Sequence, residues 1–192
     1  KEVLYKENNC VFRFNVDSCY FSPRLASERG EVASLVKKNE NVLVMFGGVG
    51  PFAIVIAKSA KPKRVVSVEL GKECNKYAIE NVKRNKCENV VEIIQGDVRR
   101  VLPHIKGKWN RIVMARPNLQ DSFLDAALKA IKKNGIIHYY GFYHEGEKEK
   151  LRELIENEAK KAKRKIKIMK IKKAGDIGAR RFRFRADFKI TK

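Results

Sequence analysis

The stretch Val42-Leu43-Val44-Met45-Phe46-Gly47-Gly48-Val49-Gly50-Pro51-Phe52 is an apolar run that passes straight into a glycine-rich turn. A continuous apolar run reads as a parallel strand buried on both faces, and glycines after it let the backbone approach a ligand at the head of the next helix. A second apolar run, Val65-Val66-Ser67-Val68, ends in Glu69. That places an acid about 20 residues beyond the glycines, where it is suited to accept from ribose hydroxyls. Gly47-Gly48-Val49-Gly50 lacks the two residues that precede the third glycine of a dinucleotide loop, and Pro51 occupies the first helical turn at once. A ligand without phosphates therefore fits better. S-adenosylmethionine, with adenosine at one end and an amino acid at the other, is the cofactor expected.

Outward from this stretch the pattern alternates. Strands are expected at 42–46, 65–69, 90–94, 111–114 and 135–140, and helices at about 51–59, 72–85, 99–104, 120–133 and 146–163. Such alternation implies a mostly parallel sheet covered by helices on both faces. Before it, Val11-Phe12-Arg13-Phe14-Asn15-Val16 alternates with period two, and Ser27 is placed to cap a helix from Glu28 to about Lys38. After it, 166–172 and 181–190 alternate again, joined by the loop Ala174-Gly175-Asp176-Ile177-Gly178, which reads as a terminal antiparallel hairpin. A mostly parallel sheet of six or seven strands ending this way resembles the Rossmann-like class I S-adenosylmethionine-dependent methyltransferase fold, with seven strands in the family pattern. The organisation expected is a remnant of an N-terminal β segment and linker over 1–30, followed by the catalytic domain over 31–192.

Composition points to the partner. Of 192 residues, 43 are Lys or Arg against 22 Asp or Glu, a formal charge of +21. An excess of one sign this large makes polyanions, RNA first, the expected partners. Abundant Lys, Glu and Ile, with Gln only at 95 and 120, also suit a hot environment, but ion-pair networks need both signs. No apolar stretch approaches the roughly 18 residues of a membrane span. Cys10, Cys19, Cys74 and Cys87 form no Cys-x-x-Cys pair and have no histidine at ligand spacing, so reduced thiols, no metal and a cytoplasmic setting are expected. His138 and Tyr140 read as core or pocket-wall residues. Lys160-Lys161-Ala162-Lys163-Arg164-Lys165, with Arg180, Arg181, Arg183 and Arg185, reads as an RNA-facing patch over the alternative of a solvated helix end.

Ligands of open α/β sheets bind outside the carboxyl ends of the strands. Four segments fall there: the glycine loop after Phe46, Glu69-Leu70, Gly96-Asp97-Val98, and Ala115-Arg116-Pro117-Asn118. Asp97 is suited to accept from an adenine amino group, with a neighbouring backbone N–H donating to a ring nitrogen. Phe46, Gly48, Gly50, Glu69, Leu70, Asp97 and Val98 are thus the candidate cofactor residues.

Phe21-Ser22-Pro23-Arg24-Leu25-Ala26-Ser27-Glu28-Arg29, Met45-Phe46 with Gly48-Val49-Gly50-Pro51-Phe52, Gly135-Ile136-Ile137-His138-Tyr139-Tyr140 and Asp187-Phe188-Lys189-Ile190 resemble signatures of the Met-10-like tRNA methyltransferases. That family methylates N1 of the guanosine 3′ of the anticodon. The resemblance implies Glu28 as base for the N1 proton, Arg24 as partner of guanine O6, and Arg29 as a phosphate holder or a positioner of Glu28. It implies the anticodon stem-loop of tRNA as partner; Pro117 and Asn118, and Arg181 and Arg183 of the basic patch, are the candidate substrate contacts, and a monomer is expected. Two positions depart from the family pattern: Val44 replaces an acid, and Ala115-Arg116-Pro117 replaces Asn-Leu-Pro. The alternatives are a wyosine-pathway aminocarboxypropyltransferase using the same cofactor and a basic RNA-binding module whose catalytic site has decayed.

Overall fold

A computed structural model describes residues 1–115 and 120–192. The chain divides into two compact units, Lys1–Lys106 and Gly107–Lys192.

The first unit opens with an antiparallel hairpin, β1 (Glu2–Glu7) and β2 (Cys10–Asn15), in register Glu7↔Cys10. Its two-residue turn holds Asn8 and Asn9 at φ 47 and 57, the left-handed pair that matches strand twist. A turn of 3-10 helix (Pro23–Leu25) leads into α1 (Ala26–Leu35). Ser27 is not its cap: the helix starts earlier, directly off the 3-10 turn, and ends at Leu35 rather than near Lys38. Residue 30, the expected end of the lead-in segment, lies inside α1.

The expected β-α alternation follows as β3 (Asn41–Met45), α2 (Pro51–Ala60), β4 (Arg64–Glu69), α3 (Lys72–Arg84), β5 (Val91–Gln95) and the short α4 (Val98–Val101). The strands lie in the order β5-β4-β3, all parallel. Val42 to Met45 are fully buried, as the unbroken apolar run requires. The hairpin docks on α3 through side-chain amides that continue the β2 ladder. Asn81 accepts from Arg13 N at 2.7 Å and donates to Arg13 O at 3.0 Å, and Asn85 does the same with Val11 at 2.9 and 2.7 Å. The two asparagines satisfy strand-edge groups that would otherwise be costly to bury.

The second unit holds β6 (Trp109–Met114), α5 (Leu124–Ala130), β7 (Ile131–His144), α6 (Lys148–Lys161), β8 (Ile166–Gly178) and β9 (Arg181–Ile190). The strand order is β6-β7-β9-β8, with β6 and β7 parallel and the last two pairings antiparallel. Two expectations change. The helix expected over 120–133 gives way at Ile131 to a strand of 14 residues, long enough to pair along the whole of β9. The loop expected at 174–178 is strand, with register shifts between Lys173 and Gly175 and between Asp176 and Gly178. Glycines in a strand mark bulges as well as turns, and here the chain reverses only at Ala179 and Arg180.

Candidate active site

In the first unit the chain after β3 turns through three left-handed residues, Phe46 at φ 61, Gly48 at 56 and Gly50 at 88. Such a conformation is uncommon for a side chain as bulky as Phe46 and marks a constrained loop. Gly50 caps α2 and Pro51 fills its first position, where a missing N–H costs nothing. Gly47 is required by packing instead, because a Cβ there would sit 1.9 Å from Ser67 Oγ. The loop is tied to β4 by Gly47 N donating to Val68 O at 3.0 Å.

Glu69 has a task the sequence did not show. Its Oε2 accepts from Gly48 N at 2.9 Å and its Oε1 from Gly71 N at 2.8 Å, so one carboxylate braces both the glycine loop and the turn into α3. Each oxygen keeps a second lone pair for a hydroxyl. Asn75 holds that turn from below, donating to Glu69 O and Gly71 O at 2.8 Å each. Leu70 beside it is 67% exposed, an apolar face set next to an acid.

Asp97 is the N-cap of α4: its Oδ1 accepts from Arg99 N at 2.8 Å and Arg100 N at 3.3 Å, leaving Oδ2 outside the cap. Val98 is buried behind it. The loop surface fits an adenosyl ligand, since a Cβ built on Gly48 would meet only Tyr20 O, at 3.8 Å. That is a cradle left open by the absent side chain.

The Tyr20 carbonyl at Gly48 also brings the 20–29 segment to the loop. α1 packs on α2, and the Arg29 guanidinium lies 5.9 Å from the Phe52 ring of α2 and 4.8 Å from Phe21. Arg24 is exposed on the 3-10 turn, whereas Glu28 is buried, 6% exposed, in the first turns of α1. Arg29 is 2% exposed and bound to the Glu7 carboxylate through Nε and Nη2 at 2.5 Å each, with Nη2 also donating to Ser22 O at 2.9 Å. Holding phosphate is not open to so buried a group; positioning is. Sequence reasoning missed Glu7, whose only signal is a carboxylate on the inward side of an alternating strand.

In the second unit, Pro117 and Asn118 lie outside the described residues. Arg181 is half-buried, but Arg183 is only 9% exposed, over the Phe142 ring at 5.2 Å, and Arg185 is fully buried. The RNA-facing reading of Arg183 and Arg185 is therefore corrected: both are withdrawn from the surface, on the face of β9 that also carries buried Asp187, whereas Arg181 at the start of the strand is half-buried.

Arg185 donates to both oxygens of Asp187 at 2.9 and 3.2 Å, and His138 Nδ1 meets Asp187 Oδ1 at 2.6 Å while its Nε2 meets Arg111 Nη1 at 2.8 Å. A carboxylate only accepts and a guanidinium only donates, so His138 is the neutral tautomer with its proton on Nδ1. Burial pushes the His138 pKa below its ordinary value, opposed by Asp187. Burial disfavours ionised Asp187, yet the His138 hydrogen bond and Arg185 hold its carboxyl below the usual range. His138 and Tyr140 are core residues, 0% and 2% exposed, as read. Arg164 is likewise drawn inward, donating to Leu128 O and Ile131 O, while Lys160, Lys161, Lys163 and Lys165 stay exposed. Among the described residues no group of three or more His, Cys, Asp or Glu is arranged to hold a metal, and no helix is long and apolar enough to cross a membrane.

Comparison with known proteins gives a family match, the TRM5/TYW2 methyltransferase domain, over residues 3–169. Among relatives, the tRNA (guanine(37)-N(1))-methyltransferase Trm5b of Pyrococcus abyssi is 36% identical over 99% of this chain and 56% of its own length. Its crystal structure superposes with a TM-score of 0.90 at 35% identity, again over 99% of this chain and 56% of that one. The tRNA (guanine(37)-N(1))/4-demethylwyosine(37)-methyltransferase Taw22 of Nanoarchaeum equitans is 33% identical over 96% of this chain and 77% of its own. The crystal structure of M. jannaschii TYW2 in complex with AdoMet matches with a TM-score of 0.87 at 29% identity, covering 98% of this chain and 85% of that one. The chain thus spans about half the length of Trm5b.

Proposed function

Because this chain belongs to the TRM5/TYW2 methyltransferase domain family, with its Rossmann-like class I methyltransferase fold of a mostly parallel seven-stranded sheet and C-terminal antiparallel hairpin, we propose that it is an S-adenosylmethionine-dependent tRNA methyltransferase acting on N1 of the guanosine 3′ of the anticodon. The observation that carries this reading is the placement, within one compact unit, of the open glycine loop braced by Glu69 and the buried Glu28 on a helix packed against the helix that loop begins.

Phe46, Gly48, Gly50, Glu69, Leu70, Asp97 and Val98 hold the cofactor, which when bound supplies an electrophilic methyl carbon. Glu69 accepts from ribose hydroxyls through its remaining lone pairs, Leu70 covers the adenine face, and Asp97 Oδ2 accepts from the adenine amino group. The guanine carries a proton on N1 at neutral pH, and its departure puts negative charge on O6. Glu28, withdrawn from water, takes that proton, and Arg24 meets the charge on O6. Arg29 positions Glu28. Pro117 and Asn118 contact the target base, and Arg181 joins the exposed lysines at 160–165 in contacting phosphate. The partner is the tRNA anticodon stem-loop, bound by a monomer in the cytoplasm.

Ala115, in place of the family's Asn, favours a second reading: transfer of the aminocarboxypropyl group of the same cofactor. Incubation with unmodified tRNA and cofactor labelled separately in the methyl and carboxyl carbons separates the readings. Methyl label alone should enter RNA. Carboxyl label in RNA would identify aminocarboxypropyl transfer, and failure to bind the cofactor at micromolar levels would identify a decayed site.

A further inference from the structure

Glu7 and Asn8 have no part in the chemistry above, yet their contacts centre on the segment that carries it. The Glu7 side chain is 3% exposed, and burying a carboxylate is unfavourable unless it is paired and hydrogen-bonded. Its two oxygens accept from Arg29 Nε and Nη2, a two-pronged pairing that fixes the guanidinium plane. Arg29 Nη2 reaches on to Ser22 O at 2.9 Å, the residue before the 3-10 turn that bears Arg24. Asn8, next in the hairpin turn, donates from Nδ2 to Ala26 O at 2.9 Å, and its Oδ1 lies 2.9 Å from where a Cβ on Gly30 would be. The hairpin turn therefore holds Ala26 and Arg29 directly, lies against Gly30, and reaches Ser22 through Arg29, so the points held lie on both sides of Arg24 and Glu28.

We propose that Glu7 is a positioning residue for the transfer reaction, acting through Arg29 to fix the 22–30 segment so that Arg24 and Glu28 are presented together. This rests on the reading of Glu28 as the base. Glu7 also satisfies the charge of Arg29, which would otherwise be an unpaired buried cation next in sequence to Glu28. The left-handed Asn8-Asn9 turn and the Asn81 and Asn85 amides make the hairpin a rigid support for this grip.

The test compares the parent protein with Glu7→Gln, which keeps the size and one acceptor but loses the charge. Amide hydrogen exchange should show protection across 22–30 lowered by about tenfold or more, with β3 and β4 within about threefold of the parent. Single-turnover methyl transfer should fall by about tenfold or more with cofactor affinity within about threefold. Unchanged protection at 22–30, or an equal loss throughout the unit, overturns the proposal. So does a parental transfer rate in the folded variant. Should Glu7→Gln not fold, the double variant Glu7→Leu/Arg29→Met replaces the ion pair by apolar groups, a change near neutral for stability. It takes the Arg29 donor from Ser22 O, which keeps only its bond from Leu25 N, so protection at 22–30 should still fall, and parental protection overturns the proposal. An inactive parent counts against the proposed function alone, because the exchange pattern decides the role of Glu7 without any turnover.

Discussion

Glu69 braces the cofactor loop, so its removal acts twice. Glu69→Ala releases Gly48 N and Gly71 N and, under the proposed function, also loses hydrogen bonds to the cofactor ribose, each charge-assisted and contributing about 1.5–3 kcal/mol. Cofactor affinity measured by calorimetry should drop roughly ten- to a hundredfold or more; parental affinity would mean that the loop is held by other groups. Asp97→Ala should weaken binding and also cost about 1 kcal/mol of stability through the lost helix cap.

Glu28→Gln should leave the fold and the binding of cofactor and RNA near normal while slowing single-turnover transfer about a hundredfold or more, the contribution of a positioned base. Glu69 and Asp97 are singled out by spacing and Glu28 by resemblance, and their roles belong to the proposed function. What could not be read was their local bonding: nothing in a linear pattern says that Glu69 braces a loop, that Asp97 caps α4, or that Arg29 points at a carboxylate 22 residues earlier in the chain. Such pairings are decided by how the β1–β2 hairpin packs.

At the level of elements, the loop between β3 and α2 depends on small size at Gly47. Gly47→Ala places a methyl group on Ser67 Oγ and should lower the thermal midpoint; adding Ser67→Ala removes that oxygen and leaves the nearest neighbour at 3.3 Å, so the double variant should regain part of the loss. Simple additivity of the two changes would show that the loop relaxes elsewhere.

The network linking β6, β7 and β9 sets an acid response. His138 resists protonation in the folded state, so its contribution is complete above the ordinary histidine pKa, about 6.5, and declines as pH falls below it, because the unfolded chain takes up the proton first. Asp187, held low, adds stability above the ordinary aspartate value, about 3.9, that is lost as pH falls through its own lower pKa. The thermal midpoint should therefore decline between about pH 7 and 5, and His138→Gln should flatten that decline. An unchanged slope would contradict the neutral tautomer. The β-α alternation was legible because burial on two faces writes continuous apolar runs, and the final hairpin because its strands alternate with period two, but the placement of the β9 charges misled. The Arg-Phe alternation of β9 has the period of a half-exposed strand, yet Arg185 is buried because Asp187 on the same strand pairs with it and is bonded in turn to His138 of β7.

Over the whole molecule, the formal charge of +21 is spread unevenly in accessibility. Arg111, Arg183 and Arg185 are withdrawn, so the proposed function leaves RNA binding to Arg181 and to exposed lysines such as Lys160, Lys161, Lys163 and Lys165. Neutralising those four lysines should reduce the slope of log affinity against log salt by up to about 0.9 for each phosphate no longer neutralised and leave cofactor affinity unaltered. A salt-independent affinity would contradict the polyanion reading outright. Neutralising Arg185 should instead lower stability, because it leaves the Asp187 carboxylate buried with fewer donors.

The central claim, methyl transfer to guanine N1 beside the anticodon, is tested most directly by incubating the protein with unmodified tRNA and S-adenosylmethionine and mapping the product by nuclease digestion and mass spectrometry. One methyl group per tRNA is expected, on N1 of the guanosine 3′ of the anticodon, and none on a tRNA with adenosine at that position. A methyl group elsewhere, or intact unmodified tRNA despite bound cofactor, would contradict it.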